Sequence, residues 1–437
     1  MMKQKTWKVL GSVCMVALLI GTVATASYSA DPITLEIVGH RVHKLIATKG
    51  DGGDIVTPWV EQNPMVEAVT WNTLEIGPIH DRLFREASLP STEVGVAYLL
   101  NTHALPRVAN LLEPLNEWLE KKPIDEFEAN FGGGMLDALT FNDKLYGIPV
   151  RVAPAGLMWN ETIFNERGLD RPPRNPEEFY EFAKKCTYKR EDGTQVYGFL
   201  ILSHYYYTSL VSMARMWDGD LITTDLEVRC NEEPMVKALE MMVKMYEEGI
   251  IPKNAPAIKH AEHQRLAQQC VIAMSFDAFG KIHSWNDPEQ AVCPTLRVAA
   301  PPVADELRDK YPHGGPVRAE FWSMVIPKNS NHKEQAWEFI RYLSSPEAAF
   351  RMALNGNGPT RADVFKNPTY AEQVPYSDVA LKTINTTRVP IPAFDKTPQA
   401  MELIDSYIER ALLGDMEPRA AMDELAEELR ALSSMLK

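Results

Sequence analysis

The 437-residue chain has few cysteines, a deficit of positive charge and no common catalytic motif. Its 59 acidic residues outnumber its 45 lysines and arginines, and the net charge of −14 argues against nucleic acid or an anionic membrane surface as partner. It contains no phosphate-binding glycine loop, no nucleophile elbow and no HExxH zinc motif. The sequence therefore predicts no catalytic residue, no cofactor and no metal.

Long apolar runs are absent after residue 30, where no segment approaches the roughly 20 apolar residues of a membrane-spanning helix. The first 26 residues instead have the parts of a secretory signal peptide: a basic start at 3–8, an apolar run at 9–23 and small residues up to Ala26. We expect cleavage after Ala26 and, as the alternative, after Ala30. An uncleaved N-terminal anchor is the other interpretation.

The cysteines indicate a freely diffusing periplasmic product without a zinc site. Cys14 lies inside the apolar run and not at its end, which argues against a lipid anchor. The four remaining cysteines are widely spaced, without a CxxC pair, and allow three disulfide pairings. We expect Cys186 and Cys270 to be small buried hydrophobic residues. The disulfide considered is Cys230 with Cys293, the alternative being free thiols.

Length and periodicity predict an α/β protein of two or three domains, because about 410 mature residues exceed a typical domain of ~100–200 residues. Short strands at 34–38, 66–71 and 94–98 are separated by helical segments, which is typical of βαβ units and a largely parallel sheet. Amphipathic helices follow, beginning near the residues Asn175, Asn231, Asn331 and Pro418.

Aromatic side chains with charged or amide neighbours occur at the predicted strand ends and in loops. In doubly wound sheets, ligands bind at the carboxyl ends of strands. Aromatic rings stack on the C–H faces of sugars, and charged groups bind the hydroxyls. The alternative for each aromatic residue is a place in the core. The candidate ligand-binding residues are His40, Arg41, Trp71, Asn72, Tyr98, Arg151, Trp217, Asp218, Phe276, Asp277, Phe279, Arg318, Phe321 and Trp322.

His260 and His263 are three residues apart and could share a helix face. No third metal ligand is nearby in the sequence, so we interpret the pair as part of a solvated face and not as a metal site.

Five segments, in order along nearly the whole mature chain, resemble the family 1 extracellular solute-binding proteins of ABC transporters, which include maltose-binding proteins. They are Tyr146–Pro149 continuing into Leu157–Asn160 and Gly168–Pro173, then Asn231–Pro252, Trp322–Ala348, Gly358–Arg361 and Leu413–Leu432. Val94–Tyr98 and Phe276–Phe279 depart from the family pattern where ligand contacts are expected.

The resemblance implies a two-lobed, type II periplasmic-binding-protein fold. Each lobe should be a mixed, mainly parallel sheet flanked by helices, with hinge segments crossing between the lobes. The expected boundaries are 31–150 plus 318–356 for the N-terminal lobe, 155–316 plus 360–437 for the C-terminal lobe, and 151–154, 317–322 and 357–361 for the crossings.

The resemblance also implies capture of a small carbohydrate or sugar derivative in the interlobe cleft and its delivery to the permease of an ABC transporter by a monomeric periplasmic protein. A secreted carbohydrate-active enzyme and a ligand-presenting protein for a chemoreceptor are the alternatives. If Arg151 and Arg318 both face the cleft, a ligand with a carboxylate, such as a uronate or an aldonate, is expected. The alternative is that they pair with acidic residues of the lobes.

Overall fold

The computed structural model describes residues 31–131, 133–203 and 205–434. The predicted signal peptide lies outside this range. The fold is α/β, and the three strands predicted from alternation are present with slightly longer bounds. The strands are β1 (Ile33–Gly39), β2 (Val66–Thr73), β3 (Val94–Leu100), β4 (Thr140–Phe141), β5 (Lys144–Leu145), β6 (Ile148–Asn160), β7 (Tyr188–Lys189), β8 (Gln195–Val196), β9 (Met274–Ala278), β10 (Leu296–Ala299) and β11 (Arg318–Val325).

Helices separate and flank these strands. They are α1 (Arg41–Thr48), α2 (Val56–Gln62), α3 (Ile76–Ala87), α4 (Pro106–Ala109), α5 (Asn116–Lys121), α6 (Phe127–Asn130), α7 (Gly133–Asp137), α8 (Glu161–Glu166), α9 (Pro176–Lys185), α10 (Tyr206–Ala214), α11 (Glu233–Glu247), α12 (His260–Gln268), α13 (Lys281–Trp285), α14 (Lys333–Leu343), α15 (Pro346–Leu354), α16 (Ala362–Phe365), α17 (Pro368–Gln373), α18 (Ser377–Thr383), α19 (Thr397–Leu412) and α20 (Pro418–Ser434).

The helices predicted near Asn175, Asn231, Asn331 and Pro418 are confirmed as α9, α11, α14 and α20. Local chemistry sets the start of α9: the side chain of Asn175 accepts a hydrogen bond from the Glu178 N–H at 2.9 Å, and Pro176 occupies the first helical position. Within the described residues, no helix combines the length and the apolar character needed to cross a membrane.

One seven-stranded sheet runs through the molecule in the order β10-β6-β11-β3-β1-β2, with β9 also paired to β6. The sheet is mixed, as predicted. Among its strand pairs in the described part of the chain, β1 with β2 and β1 with β3 are parallel. The other pairs in this sheet are antiparallel. The expectation of mainly parallel pairing is wrong here because β6 and β11 run in opposite directions between the two halves.

Strand β6 is 13 residues long and joins the two halves of the molecule. Its first part pairs with β11, from Ile148 opposite Met324 to Ala155 opposite Arg318, and its second part pairs with β9 and β10. The expected crossings at 151–154 and 317–322 therefore fall almost entirely within two paired strands. Their action as hinges stays a prediction.

The third expected crossing, 357–361, packs directly on β6. The Val152 N–H donates to the Gly358 carbonyl at 2.9 Å, and a Cβ on Gly358 would lie 1.9 Å from the Val152 carbonyl oxygen. Only glycine fits at this approach. Arg361 is fully buried and pairs with Asp363 at 2.7 Å, which fixes the end of this segment.

Two large hydrophobic clusters define the two lobes. The N-terminal lobe packs around side chains from 35–152 and 319–352, and the C-terminal lobe around side chains from 157–276 and 391–432. A third cluster, separate from these two, includes Phe279, Val317 and Tyr370. Segment 364–384 packs in this third cluster, and the boundary that places it in the C-terminal lobe stays a prediction.

The cysteines differ from the expectation in their pairing, and Cys270, expected to be a small buried hydrophobic residue, is buried but disulfide-bonded. Cys270 and Cys293 form a disulfide, whereas Cys186 and Cys230 are free and buried. The pairing considered for Cys230 with Cys293 is therefore wrong. Cys230 lies in the interior against α20, where its Sγ is 3.8 Å from the Met422 carbonyl, while Cys270 and Cys293 precede the two strands β9 and β10 that flank β6.

The disulfide yields a first prediction. A mature chain unfolded in guanidinium without reductant should show two reactive thiols, and a folded chain almost none, because both free cysteines are buried. The free energy of unfolding of a Cys293→Ser variant should be about 2–4 kcal/mol lower than that of the wild type, since the disulfide closes a loop of 23 residues. Four reactive thiols in the unfolded, unreduced chain would contradict this pairing.

Candidate functional site

A cleft between the lobes consists of three adjoining cavities. The central cavity of about 290 Å³ shares Tyr205 and Tyr207 with a tyrosine-side cavity of about 550 Å³. It shares Ala153, Ala278 and Lys281 with a hinge-side cavity of about 670 Å³. The three names refer to these sets of lining residues. Of the three, the central cavity is lined by residues of both β6 and β11, and the hinge-side cavity by residues of β6.

The central cavity combines aromatic faces with charged groups. Arg318 and Glu320, from β11, point to the same face of the sheet as Ala153, which lies opposite Glu320 on β6. Phe276 and Asp277 enter from β9. Such a surface can stack on an apolar ring face and exchange hydrogen bonds with hydroxyls.

The first turn of α10 supplies another wall. Tyr207, Thr208 and Ser209 line the central cavity, and the Tyr207 N–H donates to the Asp405 carboxylate at 2.9 Å. All nine residues of α10 are buried, which places these side chains on a rigid element. Tyr205, just before the helix, is 41% exposed and is free to meet a ligand.

The charges of the central cavity largely balance. Lys281 Nζ lies 2.7 Å from the Asp277 carboxylate, and Arg318 Nη1 lies 3.9 Å from Glu320. Burial would raise the pKa of Asp277, but Lys281 and His263 outweigh it and the pKa is lowered. Burial lowers the pKa of His263 to about 4, although Asp277 acts in the opposite direction. The His263 ring is therefore neutral at pH 7.

The tyrosine-side cavity is lined by both lobes. Thr102 and His103 come from the N-terminal lobe, and Phe394 and Met401 from the C-terminal lobe. On its border, Arg107 Nε and Asp395 Oδ1 form an ion pair across the two lobes at 2.6 Å. The pair is largely exposed, so it contributes little stability by itself.

Four of the predicted ligand-binding residues line the cleft. Phe276, Asp277 and Arg318 border the central cavity, and Arg151 borders the hinge-side cavity. Phe276 is only 5% exposed, and its ring also packs on Phe179 and Phe199.

Four others lie at the ends of β1 and β2, apart from the three cavities. His40 caps α1 by accepting the Val42 N–H, and Arg41 is exposed on the same helix. Trp71 and Asn72 lie within β2, which extends to Thr73, and the Asn72 amide donates to Glu36. The predicted strand ends at Trp71, two residues earlier.

Four of the aromatic residues predicted to bind ligand are buried in hydrophobic clusters. This agrees with the alternative that they belong to the core. Phe279 and Phe321 are at most 1% exposed. Tyr98 lies inside β3 and stacks on His43 with ring centroids 4.0 Å apart, and Trp322 packs edge-on against the same ring at 4.7 Å.

Trp217 and Asp218 lie outside the three cavities. Trp217 packs against the C-terminal cluster. The Asp218 carboxylate accepts hydrogen bonds from Lys310, Tyr311 and Arg388 at 2.6–2.7 Å. The neighbouring carbonyl of Arg388 accepts the Ala319 N–H, so this ion network holds β11 where it enters the junction.

Tyr205, Tyr207, Lys281 and Glu320 line the central cavity but were not among the predicted ligand-binding residues. Tyr205 and Tyr207 were visible as part of a run of three tyrosines, but nothing in the sequence indicated which strand end that run would face. The solvated-face interpretation of His260 and His263 is wrong for His263, which is 2% exposed. His260 lines the central cavity.

Comparison with known proteins agrees with this two-lobed geometry. Residues 87–381, more than half of the chain, match the family model of the bacterial extracellular solute-binding proteins. The chain belongs to this family. The solute-binding protein is 21% identical over 331 residues to a putative binding protein of Brucella abortus, covering 74% of this chain and 75% of the relative.

A galactooligosaccharide-binding protein of Bacillus subtilis is 31% identical over 119 residues, covering 25% of the solute-binding protein and 26% of the relative. Among solved structures, the sugar-binding protein MalE from Xanthomonas citri superposes with a TM-score of 0.76 at 21% identity, covering 92% of this chain and 99% of that chain. Maltose-bound MalE3 of T. maritima gives 0.71 at 20% identity, covering 91% and 99%. These structures establish the shared two-lobed fold.

The Asp218 network yields a second prediction. Burial would raise the pKa of Asp218, but hydrogen bonds from Lys310, Tyr311 and Arg388 hold it at about 2. In the unfolded chain the pKa of an aspartate is near 3.9. The ionised Asp218 therefore stabilises the fold above about pH 4, and this contribution is lost as the pH falls towards 2. Asp218→Asn, which keeps a side chain suited to the positive φ of 64°, should lower the unfolding free energy by about 1–3 kcal/mol at pH 7.

Urea titrations at pH 7 and near pH 2 measure this difference, which should shrink at the lower pH. The exposed Asp225→Asn is the matched control and should match the wild type at both pH values. If Asp218→Asn were as stable as the wild type at pH 7, or lost only ligand binding, the network would not have this structural role.

Proposed function

We propose that this extracytoplasmic solute-binding protein captures a small carbohydrate or sugar derivative in its interlobe cleft and delivers it to the permease of an ABC transporter. The observation that carries the proposal is the central cavity itself. Tyr205 and Phe276 offer aromatic surfaces there, next to the charged groups of Asp277, Arg318 and Glu320. Stacking faces beside hydrogen-bonding groups are the chemistry that recognises a polyhydroxylated ring or chain.

Relatives and structural neighbours support a carbohydrate ligand. The name of the Bacillus subtilis relative records a galactooligosaccharide ligand. Structural neighbours have been solved with maltose, α-D-tagatose, ribitol and D-mannitol bound. Sugars and polyols are therefore the first ligands to test.

The proposed mechanism is capture by closure of the lobes. A ligand that contacts both walls of the cleft binds the closed form more tightly than the open form, and only this difference shifts the population. The Arg107–Asp395 pair is one contact that opening would break. A micromolar dissociation constant corresponds to about −8 kcal/mol, which a few stacked rings and charge-assisted hydrogen bonds supply after ordering costs.

The remaining parts of the proposal follow from the family and the leader sequence. We infer a periplasmic monomer whose signal peptide is removed, and a ligand that is released chemically unchanged. Recovery of an altered sugar after incubation with the protein would favour the enzyme alternative.

A screen of maltose, D-tagatose, ribitol, D-mannitol and galactooligosaccharides by thermal shift tests the proposal. A true ligand at 100 times its dissociation constant stabilises the fold by about 2.7 kcal/mol, which raises the melting temperature clearly. Tyr205→Ala should weaken that ligand about 10- to 100-fold in calorimetry, because the variant removes an exposed stacking face.

Tyr180→Ala is the control, because this tyrosine lies on α9 outside the three cavities. It should leave the affinity unchanged. Failure of every sugar and polyol to stabilise the protein would contradict a carbohydrate ligand, and equal losses in both variants would contradict the role of Tyr205.

A further inference from the structure

The hinge-side cavity is bordered by buried polar atoms that lack a hydrogen-bond partner among the described residues. They are Arg151 Nε and Asn357 Oδ1. Asn357 is 3% exposed. Buried polar groups are almost always satisfied, and one left unpaired costs about 1–3 kcal/mol. Two of them at one cavity, one of them on a charged side chain, indicate a polar ligand group there.

Arg151 is the charged member of this set. Its position on β6, opposite Trp322 of β11, places it on the sheet face that forms the floor of the cleft. In the part of the chain that the structure describes, Arg151 makes no ion pair, although Asp51 also lines the cavity. Burial lowers its pKa, yet a guanidinium remains cationic at pH 7.

The other cations of the cleft have a carboxylate within ion-pair distance. Lys281 pairs with Asp277 at 2.7 Å, and Arg318 lies 3.9 Å from Glu320, although its Nε also lacks a hydrogen-bond partner among the described residues. Arg151 and Arg318 are equivalent candidates in the sequence, but the structure separates them: Arg318 has a nearby carboxylate, whereas Arg151 has none within ion-pair distance among the described residues. The uncompensated positive charge of the cleft is therefore that of Arg151.

We infer that the ligand carries a carboxylate and that Arg151 binds this group in the hinge-side cavity. The inference rests on the proposed function and narrows it to hydroxylated acids, such as a uronate or an aldonate. A guanidinium matches a carboxylate with two parallel hydrogen bonds. Asn357 Oδ1 can accept from a ligand hydroxyl.

The adjoining cavities suit such a molecule. The hinge-side cavity shares Ala153 and Ala278 with the central cavity, so a carboxylate at Arg151 leaves the hydroxylated part of the ligand next to Tyr205 and Phe276. A buried cation without a partner is costly, and a ligand anion that neutralises it gains affinity which a neutral sugar does not.

Calorimetry with two matched pairs tests the inference: D-galacturonate against D-galactose, and D-gluconate against D-glucitol. The acid of at least one pair should bind the wild type at least tenfold more tightly than its neutral twin. Arg151→Gln should abolish this preference and leave the affinity for the neutral twin within about twofold. The exposed Arg85→Gln removes the same charge outside the cavities and should retain the preference.

Any other result of these measurements would overturn the carboxylate inference. If a neutral member binds as tightly as its acid, or if Arg151→Gln keeps the preference, the carboxylate inference is wrong while carbohydrate capture stands. If no member of either pair binds, the carboxylate inference is rejected, and the sugar and polyol screen described above decides separately whether carbohydrate capture also fails.

Discussion

The antiparallel pairing of β6 with β11 is the constraint on which the rest of the structure depends. Backbone hydrogen bonds from Ile148 to Ala155 tie these strands together across the junction of the lobes. The long β6 then continues into the C-terminal lobe, where β9 and β10 pair with it. Because both lobes are attached to one continuous strand, the cleft between them has a defined floor.

The chemistry of the cleft follows from this floor. Arg151, Ala153, Arg318 and Glu320 project from the two paired strands, so their relative positions are set by the register of the ladder and not by loops. The walls are added from β9 and from the buried helix α10. A site built on strands and a buried helix is pre-organised, which reduces the ordering cost of binding. The ion network of Asp218 and the disulfide of Cys270 stabilise the elements beside it.

Local signals in the sequence were sufficient for much of the fold. Alternation predicted β1, β2 and β3, and caps such as Asn175 predicted helix starts. The ordered resemblance predicted two lobes. The residues of the cleft were harder to predict, because whether a side chain can contact a ligand depends on which element of the fold packs opposite it. Tyr98 and Trp322 occur at plausible strand ends, yet continued strand pairing buries them, while Tyr205 and Lys281 reach the cleft through tertiary packing alone.

The central claim, that the ligand is held between the lobes, is tested most directly by hydrogen–deuterium exchange with and without a ligand found in the sugar screen. Ligand should slow exchange at 101–107 in the N-terminal lobe, at 202–209 and 274–281 in the C-terminal lobe, and along 315–322 in the floor of the cleft. Protection confined to surface helices away from the cleft, such as α9 and α20, with no change at those segments, would contradict this claim.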